Sequence, residues 1–109
     1  MVVVVFRSRL RADVDMAALE ALGGRMYTLA SAMPGFVSYK DFRADDGESL
    51  TLVEFETEAQ LRAWRDEPEH LAAQEQGRRE VFSEYDISVC ARQRRYRFTT
   101  AEGRVEVGP

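Results

Sequence analysis

Alternation of apolar and polar side chains over the first ten residues predicts a β-strand from Val2 to Leu10. Even-numbered positions fall on one face of this strand and odd-numbered positions on the other. The odd face begins with Val3 and Val5, so both faces are apolar where the strand starts. A strand of this kind needs cover on both sides, which is a first indication of a partner subunit.

Apolar residues at three- and four-residue spacing predict a helix after this strand. Asp13 or Asp15 is suited to cap its first turn. The apolar stripe consists of Met16, Leu19, Leu22, Met26, Leu29, Ala30 and Met33. Gly23-Gly24 weakens the middle of the helix, and Pro34-Gly35 is expected to end it.

A hairpin and a second helical region follow. Strands are predicted at 36–43 and 49–56, joined by a turn at Asp45-Asp46-Gly47 that makes them antiparallel. Thr57 and Gln60 match a capping box, in which each side chain accepts from the other's backbone N–H. The helix that starts there points Leu61 and Trp64 inward, and Pro68 interrupts it before a further helical segment at 69–79.

The last strand is predicted to run from Tyr85 to Phe98. Its large apolar residues change parity beyond Ala91, which indicates a bulge near Arg92-Gln93 or a strand that leaves its own core and lies on a neighbour. Residues 99–109 read as a polar tail, in which Val105 and Val107 alternate as in a short edge strand. We therefore expect a domain at 1–98 and a C-terminal tail at 99–109.

The element order β-α-β-β-α-β predicts an α+β fold of the ferredoxin-like type. Right-handed crossovers place both helices on one face of a four-stranded antiparallel sheet. The other face is then left without cover in this chain. We expect it to carry Val3, Val5, Val37, Tyr39, Val53 and Phe55, or the opposite register, and to pack against a second copy.

Composition narrows the function classes. The 109 residues are 45% apolar and 31% charged, which is ordinary for one globular domain. A net charge of -4 argues against nucleic-acid binding and against a basic membrane anchor. No apolar run approaches the roughly 20 residues of a membrane span. Cys90 is the only cysteine, so an intrachain disulfide is excluded and a cytoplasmic protein is expected.

Three segments carry a family resemblance: Met33-Pro34-Gly35-Phe36 after the first helix, the hairpin, and Ala63-Trp64-Arg65 followed by Pro68-Glu69-His70. Together they resemble the antibiotic biosynthesis monooxygenase (ABM) family of the dimeric α+β barrel superfamily. The resemblance implies a homodimer with a pocket in each subunit between the sheet and the helices. It also implies oxidation of small phenolic or quinol-like aromatics by O2 with no cofactor, neither metal nor flavin, because substrate electrons reduce the oxygen.

Two residues are the candidates for chemistry. His70 is the only histidine, and it could accept a phenolic proton or anchor a substrate oxygen. Its position near a helix N-terminus disfavours the cation, so its pKa should lie low. Trp64 could form a wall of the pocket, as family members commonly place a tryptophan on this helix. The alternatives are a surface histidine and a core tryptophan. Ser8, Phe36, Tyr39 and Gln74 complete the predicted pocket.

Two related functions fit less well. In haem-degrading relatives the iron-ligating histidine would fall about ten residues after the helix tryptophan, where this chain has Gln74, a poor iron ligand. Their first-strand asparagine would fall near Ser8. RNA-recognition motifs share the element order, but the third strand here lacks their basic-Gly-aromatic signature.

The sequence therefore supports two hypotheses. The first is a cofactor-independent monooxygenase that oxidises a small aromatic substrate. The second is a dimeric barrel protein that is non-catalytic, or an isomerase or lyase, and that binds a small apolar ligand. The fold alone does not choose between them, because the same architecture carries several activities.

Overall fold

In the computed structural model, which describes residues 1–108, six strands and three α-helices are formed. The strands are β1 (Val2–Leu10), β2 (Phe36–Arg43), β3 (Ser49–Phe55), β4 (Phe82–Ala91), β5 (Arg95–Thr99) and β6 (Gly103–Gly108). The helices are α1 (Met16–Ser31), α2 (Glu58–Arg65) and α3 (Pro68–Gln76), and a π-helical turn at Gly77–Val81 leads into β4. Up to β4, this order confirms the predicted ferredoxin-like α+β fold, with the second helix divided at Pro68.

Strands β1 to β4 form one antiparallel sheet in the order β2-β3-β1-β4. Its central strand β1 pairs Val4 with Val53 of β3 and with Val89 of β4, so these three residues share a face. That face packs on the helices, where Val4 and Val53 join Ala30, Leu61 and Trp64 in a buried cluster. A second buried cluster lies near the other end of β1 and contains Leu22, Met26, Ala73 and Val81.

Local capping explains where the helices begin. The carboxylate of Asp15 accepts from the N–H groups of Ala17 and Ala18, so Asp15 rather than Asp13 is the cap of α1. The Thr57 hydroxyl accepts from the Gln60 N–H at the start of α2. Only this half of the expected capping box is formed, because the Gln60 side chain lies against Gly35 instead.

Gly35 shows why the turn after α1 needs glycine. Its φ of +81° lies in the left-handed region, which side chains with a Cβ rarely adopt. A Cβ at this position would also come within 1.9 Å of the Gln60 side-chain oxygen. The Pro34-Gly35 signal therefore ends α1 and also lets β2 approach α2 closely.

The prediction for the uncovered face of the sheet was partly wrong. Tyr39, Val53 and Phe55 lie on the helix-covered face. The uncovered face combines Val3 and Val5 of β1 with Leu50 and Leu52 of β3 and Phe42 of β2. Alternation within one strand does not fix its register against the next strand. A bulge between Phe36 and Ser38 also reverses the parity of β2.

The single last strand predicted from Tyr85 to Phe98 is also wrong. Strand β4 ends at Ala91, and β5 and β6 form a separate antiparallel hairpin that includes most of the predicted tail. This hairpin extends away from the main sheet. The radius of gyration is 15.5 Å, above the roughly 13 Å expected for a compact chain of this length.

Candidate functional site

A cavity of about 980 Å³ lies between the helix-covered face of the sheet and the three helices. Its floor is formed by side chains of the sheet, including Phe6, Ser8, Ser49, Thr51, Tyr85 and Ile87. Its walls include Leu22 and Met26 of α1, Leu61 and Trp64 of α2, and His70, Ala73 and Gln74 of α3. Most of this lining is apolar, as is usual for sites that bind small organic molecules.

Small residues explain why the space exists. Gly23 and Gly24 line the cavity from the middle of α1, and a Cβ at either position would meet no atom within 4 Å. Ser8 and Ser49 are direct partners across β1 and β3 on the floor. These four residues therefore take up little of the space between α1 and the sheet. A glycine inside a helix costs stability relative to alanine, so the pair trades some helix stability for this open space.

His70 and Trp64 form the most distinctive contact in the cavity wall. Their rings stack with centroids 4.0 Å apart and planes 15° from parallel. The Nδ1 atom of His70 lies 3.1 Å from the Trp64 carbonyl oxygen. A carbonyl oxygen can only accept a hydrogen bond, so the proton of the neutral ring resides on Nδ1. The Nε2 atom is then the nitrogen that can accept a proton.

The local structure at the start of α3 also fixes the position of His70. Pro68 starts α3, and the Glu67 carboxylate caps it by accepting from the N–H groups of Glu69 and His70. The histidine therefore sits in the first turn of α3 and faces back toward the end of α2. This reversal brings together two side chains that are six residues apart.

Burial lowers the pKa of His70 below the ordinary histidine value of 6.5. Hydrogen bonds to the Trp64 and Arg65 backbone and the charge of Glu67 act in the opposite direction and are smaller. The expected direction is therefore confirmed, but desolvation is the main cause rather than the helix N-terminus. At neutral pH the imidazole is uncharged and able to act as a base.

Trp64 is held from its other side as well. The Phe55 ring stacks on it with centroids 5.6 Å apart and an interplanar angle of 28°. Trp64 retains only 6% of its surface and belongs to a buried cluster while it borders the cavity. Trp64 is therefore both a core side chain and a part of the cavity wall.

Polar groups on the cavity floor offer hydrogen bonds to a ligand. Ser8 is 4% exposed and lies directly on the cavity. Burial, with the charge of Asp41, raises the pKa of Tyr39 to about 12. Tyr39 therefore remains protonated and acts as a hydrogen-bond donor rather than a base. The Thr51 hydroxyl donates to Asp41 and extends this polar strip toward β2.

The structure brings five of the six predicted site residues to one cavity. Ser8, Tyr39, Trp64, His70 and Gln74 all border it. Phe36 lies outside the lining and packs edge-on against Phe55 and Tyr27. Phe36 is the first residue of β2 and pairs with Phe55, so it lies on the covered face at the end of the sheet, beyond Tyr39 and outside the cavity.

Some lining residues were not anticipated from the sequence. Gly23 and Gly24 were interpreted only as a weak point in α1, although their missing side chains were the available signal. Tyr85, Ile87 and Val89 of β4 face the helix side but remain exposed. The helices do not extend over this edge of the sheet, so the cavity opens toward solvent along β4.

Residues 1–108 lack the features of two other classes of site. No group of three or more histidine, cysteine, aspartate or glutamate side chains is arranged to hold a metal ion there. Over the same residues, no helix combines the length and the apolar character needed to span a bilayer.

Comparison with known proteins gives one curated relative. The uncharacterized protein YqjZ of Bacillus subtilis (strain 168) is 33% identical over 66 residues. The match covers 61% of this chain and 58% of YqjZ, so the shared region is less than two thirds of that protein.

Solved structures and family profiles agree on the fold. Rv0793 from Mycobacterium tuberculosis superposes with a TM-score of 0.73 at 27% identity, over 84% of this chain and 93% of that chain. SnoaB from Streptomyces nogalater, described as a cofactor-independent oxygenase, gives a TM-score of 0.73 at 17% identity over 86% and 94%. The profile for Antibiotic biosynthesis monooxygenase matches residues 1–76. The chain therefore belongs to the antibiotic biosynthesis monooxygenase family.

Proposed function

We propose that this protein is a cofactor-independent monooxygenase that oxidises a small phenolic or quinol-like aromatic with O2. The observation that carries the proposal is the neutral, half-buried His70 stacked on Trp64 at the wall of a largely apolar cavity. Family membership and the likeness to SnoaB, a cofactor-independent oxygenase, support it.

Proton transfer is the first step of the proposed reaction. The Nδ1–H of His70 is engaged by the Trp64 carbonyl, which leaves Nε2 to take the proton of a substrate hydroxyl. The resulting phenolate gives up an electron to O2 far more readily than the neutral phenol does. Correctly positioned proton transfer of this kind typically contributes about 10²–10⁴-fold in rate.

Electron transfer and bond formation complete the proposed reaction. One electron passes from the phenolate to O2, and the resulting phenoxyl radical and superoxide combine at a ring carbon that carries hydrogen. The imidazolium of His70 returns its proton to give a hydroperoxide. Loss of water then breaks the O–O bond and leaves a carbonyl. The substrate thus supplies four electrons, one oxygen atom stays in the product and the other leaves as water.

The remaining lining fits a flat substrate with a polar edge. Phe6, Ile87 and the Trp64 wall offer apolar contacts to an aromatic ring. Ser8, Tyr39 and Thr51 of the same lining offer hydroxyl groups to ring oxygens. A hydrocarbon without oxygen would offer no hydrogen bond to the buried Ser8 hydroxyl, which disfavours its binding.

The test is oxygen consumption by a His70→Ala variant. The wild type is assayed with an oxygen electrode over a panel of anthrones, dihydroxynaphthalenes and catechols. For any compound that it oxidises, kcat/KM of the variant should fall by about 10²–10⁴-fold. Leu71→Ala is the matched control, because Leu71 follows His70 on the exposed side of α3. That control should retain wild-type rates.

Ligand binding is measured separately through the fluorescence of Trp64, the only tryptophan of the chain. If phenols change this fluorescence while no oxygen is consumed, the second hypothesis, a barrel protein that binds a small apolar ligand, takes precedence. If oxygen consumption is retained in His70→Ala, the assignment of the base is overturned while the oxygenase proposal remains.

A homodimer is part of the same proposal. The uncovered face of the sheet carries Val3, Val5, Leu50 and Leu52, with Phe42 beside them at the edge strand. Contiguous apolar surface on one face of a sheet is expected to pack against another surface. A second copy offers an identical face, and a two-fold arrangement would bury both.

A further inference from the structure

A row of four polar side chains, here called the polar row, crosses the cavity floor from one edge of the sheet to the other. Ser8 of β1 pairs with Tyr85 of β4 on one side and with Ser49 of β3 on the other, and Ser49 pairs with Arg43 of β2. All four residues line the cavity. Side chains paired across neighbouring strands lie close enough to contact the same ligand group.

The middle of the polar row is open, because the side chains of Ser8 and Ser49 are small. Their hydroxyl groups can donate hydrogen bonds to a ligand. The next row along the strands is different, since it contains the large apolar residues Phe6 and Ile87. The polar row is therefore the part of this floor where an oxygen-bearing group finds both space and hydrogen-bond donors.

Tyr85 forms the aromatic end of the polar row. Its ring lies 5.5 Å from the Phe6 centroid and 6.0 Å from the Phe82 centroid. The Arg78 guanidinium donates to the Tyr85 hydroxyl at 3.2 Å, which fixes the position of the phenol. Phe6, Phe82 and Tyr85 all line the cavity, so this end of the row suits the ring of an aromatic ligand.

Arg43 forms the charged end of the polar row, and its guanidinium lacks a carboxylate partner. On the uncovered face of the sheet, Arg7 pairs with Glu48 and Arg9 pairs with Asp46. Arg43 forms no ion pair with any residue that the structure describes. A guanidinium can bind a carboxylate through two parallel hydrogen bonds. Arg43 is therefore available to an anionic group that enters the cavity.

The carboxylates of the cavity lining do not neutralise Arg43 by direct contact. Asp41 lies two residues before Arg43 on the same face of β2, but it accepts a hydrogen bond from the Thr51 hydroxyl of β3. Glu20 and Glu58 line the cavity from α1 and α2, and neither pairs with Arg43. An external carboxylate would thus find a free guanidinium beside the serine hydroxyls.

We propose that the polar row is a subsite for a carboxylate of the substrate: the carboxylate pairs with Arg43 and accepts from Ser49, and the aromatic ring lies toward Tyr85. The inference rests on the proposed function and deepens it, because it narrows the substrate to phenolic or quinol-like aromatic acids. It assigns to Arg43 a role in substrate selection and none in the chemical steps.

The test measures dissociation constants through the fluorescence of Trp64. The probes are para-hydroxyphenylacetate, para-hydroxyphenylpropionate and para-hydroxyphenylbutyrate, each compared with its primary amide near neutral pH, where the acids are ionised. The wild type should bind at least one acid about 10-fold more tightly than its amide. Arg43→Gln should abolish this preference by weakening the acid about 10-fold and leaving the amide unchanged. Arg43→Lys, which keeps the positive charge, should retain part of the preference.

Arg79→Gln is the matched control, because it removes the same charge from an exposed side chain outside the cavity lining. That control should keep the full preference for acids. Arg62→Gln tests the lining of α2, where Arg62 also has no ion-pair partner among residues 1–108. A preference that survives in Arg43→Gln, or that is lost only in Arg62→Gln, would overturn the assignment, as would equal binding of acids and amides by the wild type.

Failure of the subsite and failure of the oxygenase give different results, because binding is measured without turnover. Binding of acids that depends on Arg43, with no oxygen consumed, would overturn the oxygenase and support the subsite. Oxidation of neutral phenols by a protein that shows no preference for acids would support the oxygenase and overturn the subsite.

Discussion

On the helix-covered face of the sheet, Phe55 is fully buried and Val53 nearly so, whereas on the opposite face Leu50 and Leu52 stay partly exposed and Phe42 is 45% exposed. The residues of the two faces alternate along the same strands and are similarly apolar. What separates them is the layer that covers them. The covered face stabilises the single chain, and the uncovered face is available for association.

The two faces of the sheet also differ in the ionisable side chains that they carry. On the covered side, burial disfavours the cation of His70, so that group stays neutral. On the uncovered side, Glu54 and Arg92 form an ion pair, and the Ser38 hydroxyl also donates to Glu54. Helix cover thus disfavours the charged form of a side chain, whereas the uncovered face carries a carboxylate and a guanidinium that compensate each other.

The largest effect is expected from Phe55→Ala on the covered face. Removing this ring leaves a void beside Trp64, and the free energy of unfolding should fall by about 3–5 kcal/mol. The measurement is urea denaturation at two protein concentrations. The loss of unfolding free energy should be the same at both protein concentrations, because the void left by the Phe55 ring lies within one chain.

Leu52→Ala is the matched variant on the uncovered face. Its loss should be smaller and should depend on protein concentration, since it weakens association rather than the chain itself. Equal, concentration-independent losses in both variants would show that the two faces contribute to stability in the same way.

A smaller effect is expected from Glu54→Gln. The side chains of Glu54 and Arg92 are 26% and 17% exposed, so the charge lost from this pair is partly desolvated. The free energy of unfolding should fall by about 1–2 kcal/mol, with a weaker dependence on salt in the variant. Glu75→Gln removes a solvent-exposed partner of Arg79 and should cause no measurable change.

The smallest effect is a pH dependence due to His70. Its pKa is lowered in the folded chain relative to 6.5, so the unfolded chain binds more protons below that pH. Stability from this residue is complete above about 6.5 and is lost as the pH falls toward the folded pKa. Urea midpoints of wild type and His70→Gln should therefore converge as the pH is lowered. Parallel curves would contradict a neutral buried imidazole.

Much of the fold could be predicted because its signals are local. Alternation in β1, the Asp15 and Thr57 caps and the Asp46-Gly47 turn each act within a few residues. The relative register of β1 and β3 depends on pairing between distant segments, so alternation alone could not assign Val53 and Phe55 to the covered face. The bulge that reverses the parity of β2 after Phe36 is likewise visible only once β2 pairs with β3.

The candidate site was predictable to a similar degree. Trp64 and His70 are close in sequence, and Pro68 is a readable sign that the chain turns between them. The cavity itself forms where α1 crosses over the sheet. The order of the elements along the chain does not predict this packing. The function of Gly23-Gly24 could therefore be understood only after the helix was placed over Ser8 and Thr51.

The glycine pair in α1 has a consequence for how this fold diversifies. Because neither glycine is crowded, side chains of graded size could be introduced there without disturbing either buried cluster. The size of the side chains in this turn of α1 would then set the volume of the cavity above the sheet. The stacked rings of Trp64 and His70 would stay unchanged. In the proposed oxygenase, substrate range and chemistry would then be carried by separate segments, so mutation could alter the first and preserve the second.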